Sequence, residues 1–441
     1  MANKKDVYRN SAGLSYDGVK VKVSFKEYKL DNGLTVILRR DSSMPVVAVD
    51  VCYHVGSKNE KVGRTGFAHL FEHLMFEGSE HVKKGAFDKY ISLAGGYNNA
   101  YTTEDLTNYF EVLPSNQLSL ALWLESDRML KFSVTEKALS TQREVVKEEK
   151  RWRIDNRPYG DASERMQNLV FPVGQYHWPV IGSMEDLNAA NMMDVRRFYE
   201  QYYCPNNAVL VVSGNIEFKN VENLVSKYFG DLPPSRYVVE PILFADEEIV
   251  SERIEVMHGN VPSPGVFVAY KIPPEGSPEY YALSQLAKVL SDGNSSRLYK
   301  RLVYEAQAVS DFDVLIEGME KAGVFMFSAF VAPGHSEAEV LEIFDDEVGR
   351  LQHSPVSQYE FRKAQNTTIS SYVGRLSTNG GVADALAHYY TFFNNPDMIN
   401  SEVDRELAAT TSMIREVAVA LLDRKKRIVL RYMPNDKLNG E

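Results

Sequence analysis

The chain has 441 residues, 44% of them hydrophobic and 25% charged, which is typical of globular proteins with a substantial apolar core. A formal net charge of −11 gives no electrostatic support for nucleic-acid binding, which requires a basic surface. The two cysteines, Cys52 and Cys204, exclude a disulfide scaffold and leave too few thiols for a cysteine-based metal cluster.

The first twenty residues are polar and lack the apolar segment of a secretory signal. No later run approaches the roughly 18 apolar residues that a membrane span needs. We therefore expect a soluble protein with no membrane span. The sequence as it stands is cytoplasmic in character, but a periplasmic or organellar protein that had lost its signal would look the same, so the compartment stays open.

Strand and helix patterns follow one another through the first half of the chain. Residues 29–38 predict two strands joined at the Asn32-Gly33 turn, and the β-branched run 46–55 predicts a buried strand. Apolar residues at helical spacing predict helices at 66–76, 118–130 and 135–153. The first helix has a predicted core face of Leu70, Phe71, Leu74 and Met75. Ser133 and Glu136 fit a capping box at the start of the last one.

Two distant segments of the chain resemble each other. A helix and strand within 186–215 share their apolar pattern with a helix and strand within 403–433, and the proline-rich residues 232–241 lie between them. This repetition predicts an α+β fold of two similar halves, with domains at 1–240 and 241–441.

The helix at 66–76 carries the residues of a metal site, His69-Leu70-Phe71-Glu72-His73. Residues four apart lie on one helix face, so His69 and His73 can direct imidazole nitrogens at one ion. Glu72 lies beside them, where its carboxylate can reach a metal-bound water and take its proton. The pattern is the reverse of the His-Glu-x-x-His zinc peptidase motif. The alternative is a pair of structural histidines on an amphipathic helix.

Catalytic zinc usually has three protein ligands, so a third is expected on another element. On the helix at 135–153, Glu149 shares a stripe with Val145 and Val146, which we expect to face inward. Glu148 points about 100° away from that stripe. The alternative for any glutamate on so charged a helix is a solvated side chain, and only the need of the two histidines for a ligand favours Glu149.

Three segments together resemble the pitrilysin family of inverzincin peptidases, which includes insulin-degrading enzyme and the mitochondrial processing peptidases. They are the zinc motif with its continuation through Ser79, Arg143 to Glu149, and the glycine-rich Gly95 to Thr102. The resemblance covers nearly the whole chain and identifies it as a half-size member of the catalytic subunit type. It implies two similar halves, each a mostly antiparallel sheet packed with helices, with the zinc site in the first half only.

The resemblance also implies roles for individual residues. It makes His69, His73 and Glu149 the ligands of one Zn²⁺ per chain and Glu72 the general base. Family members bind their peptide substrate as an added strand, and the matching residues here are Asn99, Ala100 and Tyr101. The alternative for these three is an ordinary turn and a core aromatic.

Two further residues are weaker candidates for supporting the zinc site. Glu77 could hydrogen-bond a zinc histidine, although a solvated glutamate is an equal alternative. Gln142 stands where many relatives have a glutamate, seven residues before the ligand, and its amide could still support the site through hydrogen bonds.

The second half departs from the pattern of active relatives. Those relatives carry an Arg and a Tyr that hold the substrate and the oxyanion, but the matching positions here are Val303 and Ser310. Arg301 and Tyr304 lie nearby at the wrong spacing and have the character of surface-helix residues. We therefore expect a heterodimer in which a related chain supplies the pair.

The alternative to a heterodimer is a homodimer in which other residues, such as Tyr389 or Tyr390, substitute for the Arg/Tyr pair.

The function expected from these residues is zinc-dependent endopeptidase activity on unfolded peptides. The first alternative is a non-catalytic scaffold subunit of the same family, which the intact ligand set argues against. The second is a metal hydrolase like the S-ribosylhomocysteine lyases, which use a similar helix with a cysteine ligand. Neither Cys52 nor Cys204 is well placed for that role.

Overall fold

The computed structural model describes residues 7–9, 22–131, 133–237, 244–245 and 247–435. Its strands are β1 (Val7–Arg9), β2 (Phe25–Lys29), β3 (Thr35–Arg40), β4 (Val46–Tyr53), β5 (Tyr97–Thr102), β6 (Thr107–Pro114), β7 (Ala208–Gly214), β8 (Arg253–Gly259), β9 (Gly265–Ile272), β10 (Val309–Gly318), β11 (Gly323–Val331) and β12 (Arg427–Pro434).

Its helices are α1 (Phe67–Leu74), α2 (Ala86–Leu93), α3 (Leu118–Leu130), α4 (Glu136–Lys150), α5 (Ala162–Val170), α6 (Met184–Ala189), α7 (Met192–Tyr202), α8 (Phe218–Phe229), α9 (Pro278–Ser291), α10 (Glu337–His353), α11 (Gln358–Arg375), α12 (Asn379–Phe393), α13 (Glu402–Leu407) and α14 (Thr411–Leu421). Two π-helical segments, Arg151–Asp155 and Tyr299–Glu305, add to these.

Two sheets, one in each half of the chain, form the framework. The first has seven strands in the order β1-β2-β3-β7-β4-β6-β5, and the second has five in the order β10-β11-β9-β12-β8. Neighbouring strands are antiparallel except for β3 with β7 and β12 with β8, which are parallel.

The second sheet repeats the topology of the first. The series β3, β7, β4, β6, β5 has the same order and directions as β8, β12, β9, β11, β10. In both halves a helix, α7 or α14, leads through a short turn into the strand that joins the parallel pair. The predicted α+β fold with two similar halves is therefore confirmed.

The compact units of the molecule are discontinuous in sequence. One contains the described residues within 1–148, 179–243 and 372–402, and the other those within 149–178, 244–371 and 403–441. The predicted division at residue 240 separates the two sheets, but each unit also takes one segment from the other half of the chain. α4 is one continuous helix, and its last two residues are counted with the second unit.

The first sheet buries both of its faces. One face packs against α1, α3, α7 and α8 around a large core that includes Val49, Val51 and Tyr109. The other face packs against α12 around a smaller core that includes Cys52 and Val211. Because successive strand residues alternate between faces, β4 is apolar along most of its length, as its sequence predicts.

The predicted helices lie close to their expected positions. α3 matches the predicted 118–130, and α4 continues into the π-helical segment that ends at Asp155. The predicted cap was wrong: the hydroxyl of Thr135, not Ser133, accepts the backbone N–H of Ala138 at 3.2 Å. Thr135 directly precedes the first helical residue, whereas Ser133 comes too early to reach the first turn. Among the described residues, no helix is long and apolar enough to cross a membrane.

Candidate metal centre

The helix α1, which carries the zinc motif, begins at a backbone approach that only glycine tolerates. Gly66 has φ = 82°, and a Cβ on it would lie 2.5 Å from the carbonyl oxygen of Ile181. The buried carboxylate of Glu60 accepts the backbone N–H of Gly66 at 2.9 Å and of Ala68 at 2.7 Å. An acidic group here satisfies helix donors that otherwise lack partners, so the start of α1 is firmly placed.

One face of α1 packs in the core, and another face carries the possible metal ligands. Its predicted core residues are all buried: Leu70, Phe71, Leu74 and Met75. His69 and His73 lie on another face, are partly buried, and have ring centroids 4.9 Å apart. The buried face fixes the helix, and the two imidazoles project together from it.

Glu149, in the last turn of α4, completes a cluster of three possible metal ligands. One ligand atom from each of His69, His73 and Glu149 lies within 4.8 Å of the others. Two imidazole nitrogens and one carboxylate oxygen form a donor set that suits catalytic zinc, and they leave a fourth position for water or substrate. The chemistry of the donor set therefore fits a zinc ion.

The surroundings of Glu149 differ in part from the sequence prediction. Val146 is fully buried, but Val145 is 43% exposed, so the face that Glu149 shares with Val145 is not covered by the core. An open face is what a site that admits substrate requires. Glu148 is exposed, and the carboxylate of Glu149 also pairs with Arg153 at 2.8 Å.

Glu72 is connected to the edge of the first sheet. Its carboxylate oxygen Oε2 accepts a hydrogen bond of 2.6 Å from the hydroxyl of Thr102, the last residue of β5. The sequence prediction gave Thr102 no role, although this residue closes the glycine-rich segment that was singled out. The contact brings the predicted base and the predicted substrate strand together.

The strand β5 lies at the edge of the seven-stranded sheet, paired on one side with β6. Asn99, Ala100 and Tyr101 are all in it, opposite Phe110, Tyr109 and Asn108. Ala100 packs in the core on the side of α1, whereas Tyr101 packs on the side of α12.

The phenol of Tyr101 donates to Asp384 at 2.6 Å, and the Oδ1 of Asn99 accepts the N–H of Ala100 at 2.9 Å. The side chain of Tyr101 therefore points away from α1, and this strand would meet a peptide mainly through its backbone.

Glu77 and Gln142 form a pair of their own. The amide Nε2 of Gln142 donates to the carboxylate of Glu77 at 2.6 Å, and the ammonium of Lys84 pairs with the same carboxylate at 2.6 Å. The carboxylate of Glu77 is thus engaged by an amide and an ammonium rather than by a histidine. The pair ties the segment after α1 to α4, so it connects the two helices that carry the possible metal ligands.

The second half offers no substitute for the Arg/Tyr pair at the matching positions. Val303 lies in a π-helical segment, and Ser310 is an exposed residue of β10. Arg301 pairs with Asp346 at 2.9 Å and with the buried Glu347 at 3.0 Å. It is therefore engaged in ion pairs of its own unit.

The two tyrosines suggested for a homodimer are engaged in packing, which argues against the role suggested for them. Tyr389 is 1% exposed and accepts a hydrogen bond of 2.7 Å from Arg375. The hydroxyl of Tyr390 is 2.6 Å from that of Thr35 on β3. Both lie on α12, which covers the sheet, so neither phenol is available to a substrate. Tyr304, the tyrosine near the positions of the missing pair, is 79% exposed, as expected for a surface residue.

The two cysteines lie apart from the metal centre. Cys52 is buried on the α12 side of the sheet, where the hydroxyl of Thr391 contacts its sulfur at 3.4 Å. Cys204 is also buried and outside any disulfide, and its thiol donates to the carbonyl of Gln201 at 3.7 Å. A cysteine ligand, as in the lyase alternative, is therefore not available from Cys52, which lies on the opposite sheet face from α1.

Two family descriptions match the chain. One, insulinase (peptidase family M16), matches residues 35–165, which include the zinc motif and Glu149. The other, peptidase M16 inactive domain, matches residues 190–368.

Known proteins resemble the chain over most of its length. The zinc protease PqqE of Helicobacter pylori is 31% identical over 369 residues, or 82% of each chain. The crystal structure of a protease from Helicobacter pylori superposes with a TM-score of 0.89 and 28% identity, over 94% of this chain and all of that one. The periplasmic protease PqqL from Escherichia coli shares the fold, with a TM-score of 0.76 and 18% identity, over 93% of this chain but 48% of its own.

Proposed function

Because the chain belongs to the insulinase family, peptidase family M16, we propose that it is a zinc-dependent endopeptidase that hydrolyses unfolded peptides. The observation that carries the proposal is the convergence of His69, His73 and Glu149 within 4.8 Å, with Glu72 beside them on α1. The relatives named as zinc proteases support the same assignment.

In this proposal, His69, His73 and Glu149 hold one zinc ion per chain. When bound, zinc activates water and polarises the scissile carbonyl group. The buried face of α1 keeps the two imidazoles together, and the Gln142–Glu77 bond helps to keep α4 beside α1. Such support matters because a small displacement of one ligand weakens the whole site.

Glu72 acts as the general base and takes the proton from the attacking water. The hydroxyl of Thr102 restricts its carboxylate through a hydrogen bond to Oε2. Glu72 can later return that proton to the leaving amine, as general acid–base catalysis requires.

The peptide binds as an added strand along β5. The outer edge of β5 offers backbone groups, and backbone pairing recognises any extended peptide without reading its sequence. A folded protein cannot present an extended strand there, so unfolded segments are the expected substrates.

A related subunit supplies the residues that this chain lacks. Hydrogen-bond donors are needed for the developing oxyanion, and Val303 and Ser310 stand where relatives have an Arg and a Tyr. We therefore propose a heterodimer in which this chain provides the zinc site. The match of residues 190–368 to the inactive domain favours one alternative, a scaffold subunit, but a scaffold has no use for a zinc ligand set.

The test is Glu72→Gln, assayed on an unstructured fluorogenic peptide together with zinc analysis. We expect full zinc content and a loss of about 10²–10⁴-fold in kcat, because the base is removed and the ligands stay. Glu80→Gln, an exposed glutamate beyond the helix, is the control and keeps its activity. Activity of the Glu72 variant within a few-fold of wild type would remove Glu72 from the mechanism, and a wild-type chain without zinc would favour the scaffold.

A further inference from the structure

One carboxyl group, on the sheet face that α12 covers, is hydrogen-bonded to polar groups of the edge strand and of its neighbour. Asp384, on α12, accepts the phenol of Tyr101 at 2.6 Å and the amide of Asn108 at 3.4 Å. Tyr101 is on β5, and Asn108 lies directly opposite it on β6. The same amide donates to Asp50, on β4, at 3.1 Å. A polar row therefore crosses three adjacent strands on the face that α12 covers.

The row contains two carboxyl groups, those of Asp50 and Asp384. Asp50 is fully buried, and its burial, together with the nearby negative charge of Asp384, raises the pKa of Asp50 well above its ordinary value. Asp384 is the more exposed of the two carboxyl groups. Burial also raises the pKa of the Tyr101 phenol, which keeps its proton and donates it to Asp384.

The neighbouring residue in β5 faces the other way. Thr102 follows Tyr101 and, on the opposite side of the strand, donates to Glu72 at 2.6 Å. Among the described residues, β5 pairs with one strand, β6, so contacts of its side chains contribute much of its placement. The Tyr101–Asp384 and Thr102–Glu72 hydrogen bonds thus restrain the same end of β5, one on each side of the sheet.

We propose that Asp384 is a positioning residue for the peptide-binding edge: through the phenol of Tyr101, it holds β5 in the pose that an incoming strand needs beside Glu72. The inference rests on the proposed function, because it assumes that β5 receives the peptide. It adds a residue 283 positions away from Tyr101 to the substrate site. Asp384 does not touch the peptide and acts only through Tyr101.

The chain contains a matched control on the same helix. The hydroxyl of Tyr390 contacts Thr35 at 2.6 Å, the same distance as the Tyr101–Asp384 bond, but Thr35 lies on β3, away from β5 in the strand order. Tyr101→Phe and Tyr390→Phe each remove one phenol bond between α12 and the sheet. Both should lower the thermal stability to a similar extent, but only Tyr101→Phe loosens the edge strand.

The experiment measures kcat and KM of the zinc-loaded enzyme, with its partner subunit if activity needs one, on an unstructured fluorogenic peptide. We expect Tyr101→Phe to raise KM about tenfold with kcat within about threefold of wild type, since it leaves one partner of a short, part-buried hydrogen bond unpaired. Tyr390→Phe leaves KM unchanged. Asp384→Asn keeps an acceptor oxygen and retains most of the wild-type affinity. Asp384→Leu raises KM as much as Tyr101→Phe does.

The double variant of Tyr101→Phe with Asp384→Leu should raise KM no further than either single change, because both changes remove the same hydrogen bond. Equal KM values for Tyr101→Phe and Tyr390→Phe would overturn the inference, and that comparison decides even if Asp384→Leu fails to fold. A wild-type enzyme that neither binds nor cleaves the peptide would instead overturn the proposed function, and the inference with it.

Discussion

At the scale of single residues, Glu148 and Glu149 are chain neighbours with different surroundings. The side chain of Glu149 is 16% exposed and has a carboxylate oxygen within 4.8 Å of the nitrogens of both histidines. Glu148 is exposed and lies about 100° away around the helix. One position on α4 therefore separates a proposed ligand from a surface charge.

Glu149→Gln should weaken zinc binding by more than about 100-fold. This is more than the usual cost of losing a residue that only hydrogen-bonds a metal ligand. An amide oxygen lacks the charge that a zinc ion prefers in this donor set. Metal content after dialysis against a chelator series measures the effect. Glu148→Gln is the control and keeps its zinc, so a chain stripped of zinc by the control variant would contradict the assignment.

The pair formed by Arg297 and Glu360 gives a prediction for acid stability. The guanidinium bonds the carboxylate at 2.7 and 3.0 Å and, aided by Ser357, lowers the pKa of Glu360 from 4.5 to about 2. A carboxylate whose pKa is lowered by folding stabilises the fold above about pH 4.5, and this contribution is lost as the pH falls toward 2.

Arg297→Gln should therefore lower the free energy of unfolding by about 1 kcal/mol at pH 7, a value reduced by solvent screening. The deficit relative to wild type should shrink below pH 4.5, as measured by urea denaturation at several pH values. Arg40→Gln, which removes an exposed ion pair with Glu217, is the control and should have little effect. A deficit that is independent of pH would show that packing, not charge, explains it.

At the scale of elements, the edge strand β5 depends on the glycines that precede it. A Cβ on Gly96 would lie 2.7 Å from the Cβ of Leu113 and 2.7 Å from the carbonyl oxygen of Val112, both on β6. Only a glycine lets the chain approach β6 so closely before β5 begins. The place where a peptide would add is therefore set by a backbone contact in addition to side chains.

Gly96→Ala should move the start of β5 away from β6 and lower kcat/KM on an unstructured peptide by about 10–100-fold, because small misplacements of substrate are costly. Stability should fall by about 1–3 kcal/mol, as for other overpacked sites. Gly349→Ala, in α10, is the control, since a Cβ there meets no atom within 4 Å. Unchanged peptide kinetics in the Gly96 variant would argue against the edge as the binding place.

At the scale of the whole molecule, the chain contains the residues proposed to bind zinc but lacks, at 303 and 310, the Arg/Tyr pair proposed to hold the oxyanion. His69, His73, Glu149 and Glu72 come together, but the described second half has neither an Arg nor a Tyr at 303 and 310. The chain also spans about half of the periplasmic protease PqqL, whose fold it shares.

We expect the purified chain alone to cleave an unstructured peptide about 10²–10³-fold more slowly than the complex with a related chain that carries the Arg/Tyr pair. Co-expression followed by size-exclusion chromatography and a peptidase assay measures both assembly and rate. A partner variant without its Arg serves as the control and should assemble without restoring the rate. Full activity of the lone chain, unchanged by the partner, would contradict the heterodimer.

Features that depend on local spacing follow from the amino-acid sequence alone. Helical periodicity placed α1 and its buried face, because residues three and four apart always share a face. The same rule brought His69 and His73 together and separated Glu149 from Glu148. The repeated helix and strand predicted two similar halves, since each repeat encodes the same local elements.

The meeting of distant segments became visible in the folded chain. It brought α12 back onto the first sheet, which buried Tyr389, placed Asp384 beneath Tyr101 and left Cys52 on the face away from α1. It also joined Thr102 to Glu72. These contacts depend on strand register and on which sheet face a returning helix covers. Spacing along the chain does not encode either one, because a strand shifted by one residue turns all its side chains to the other face.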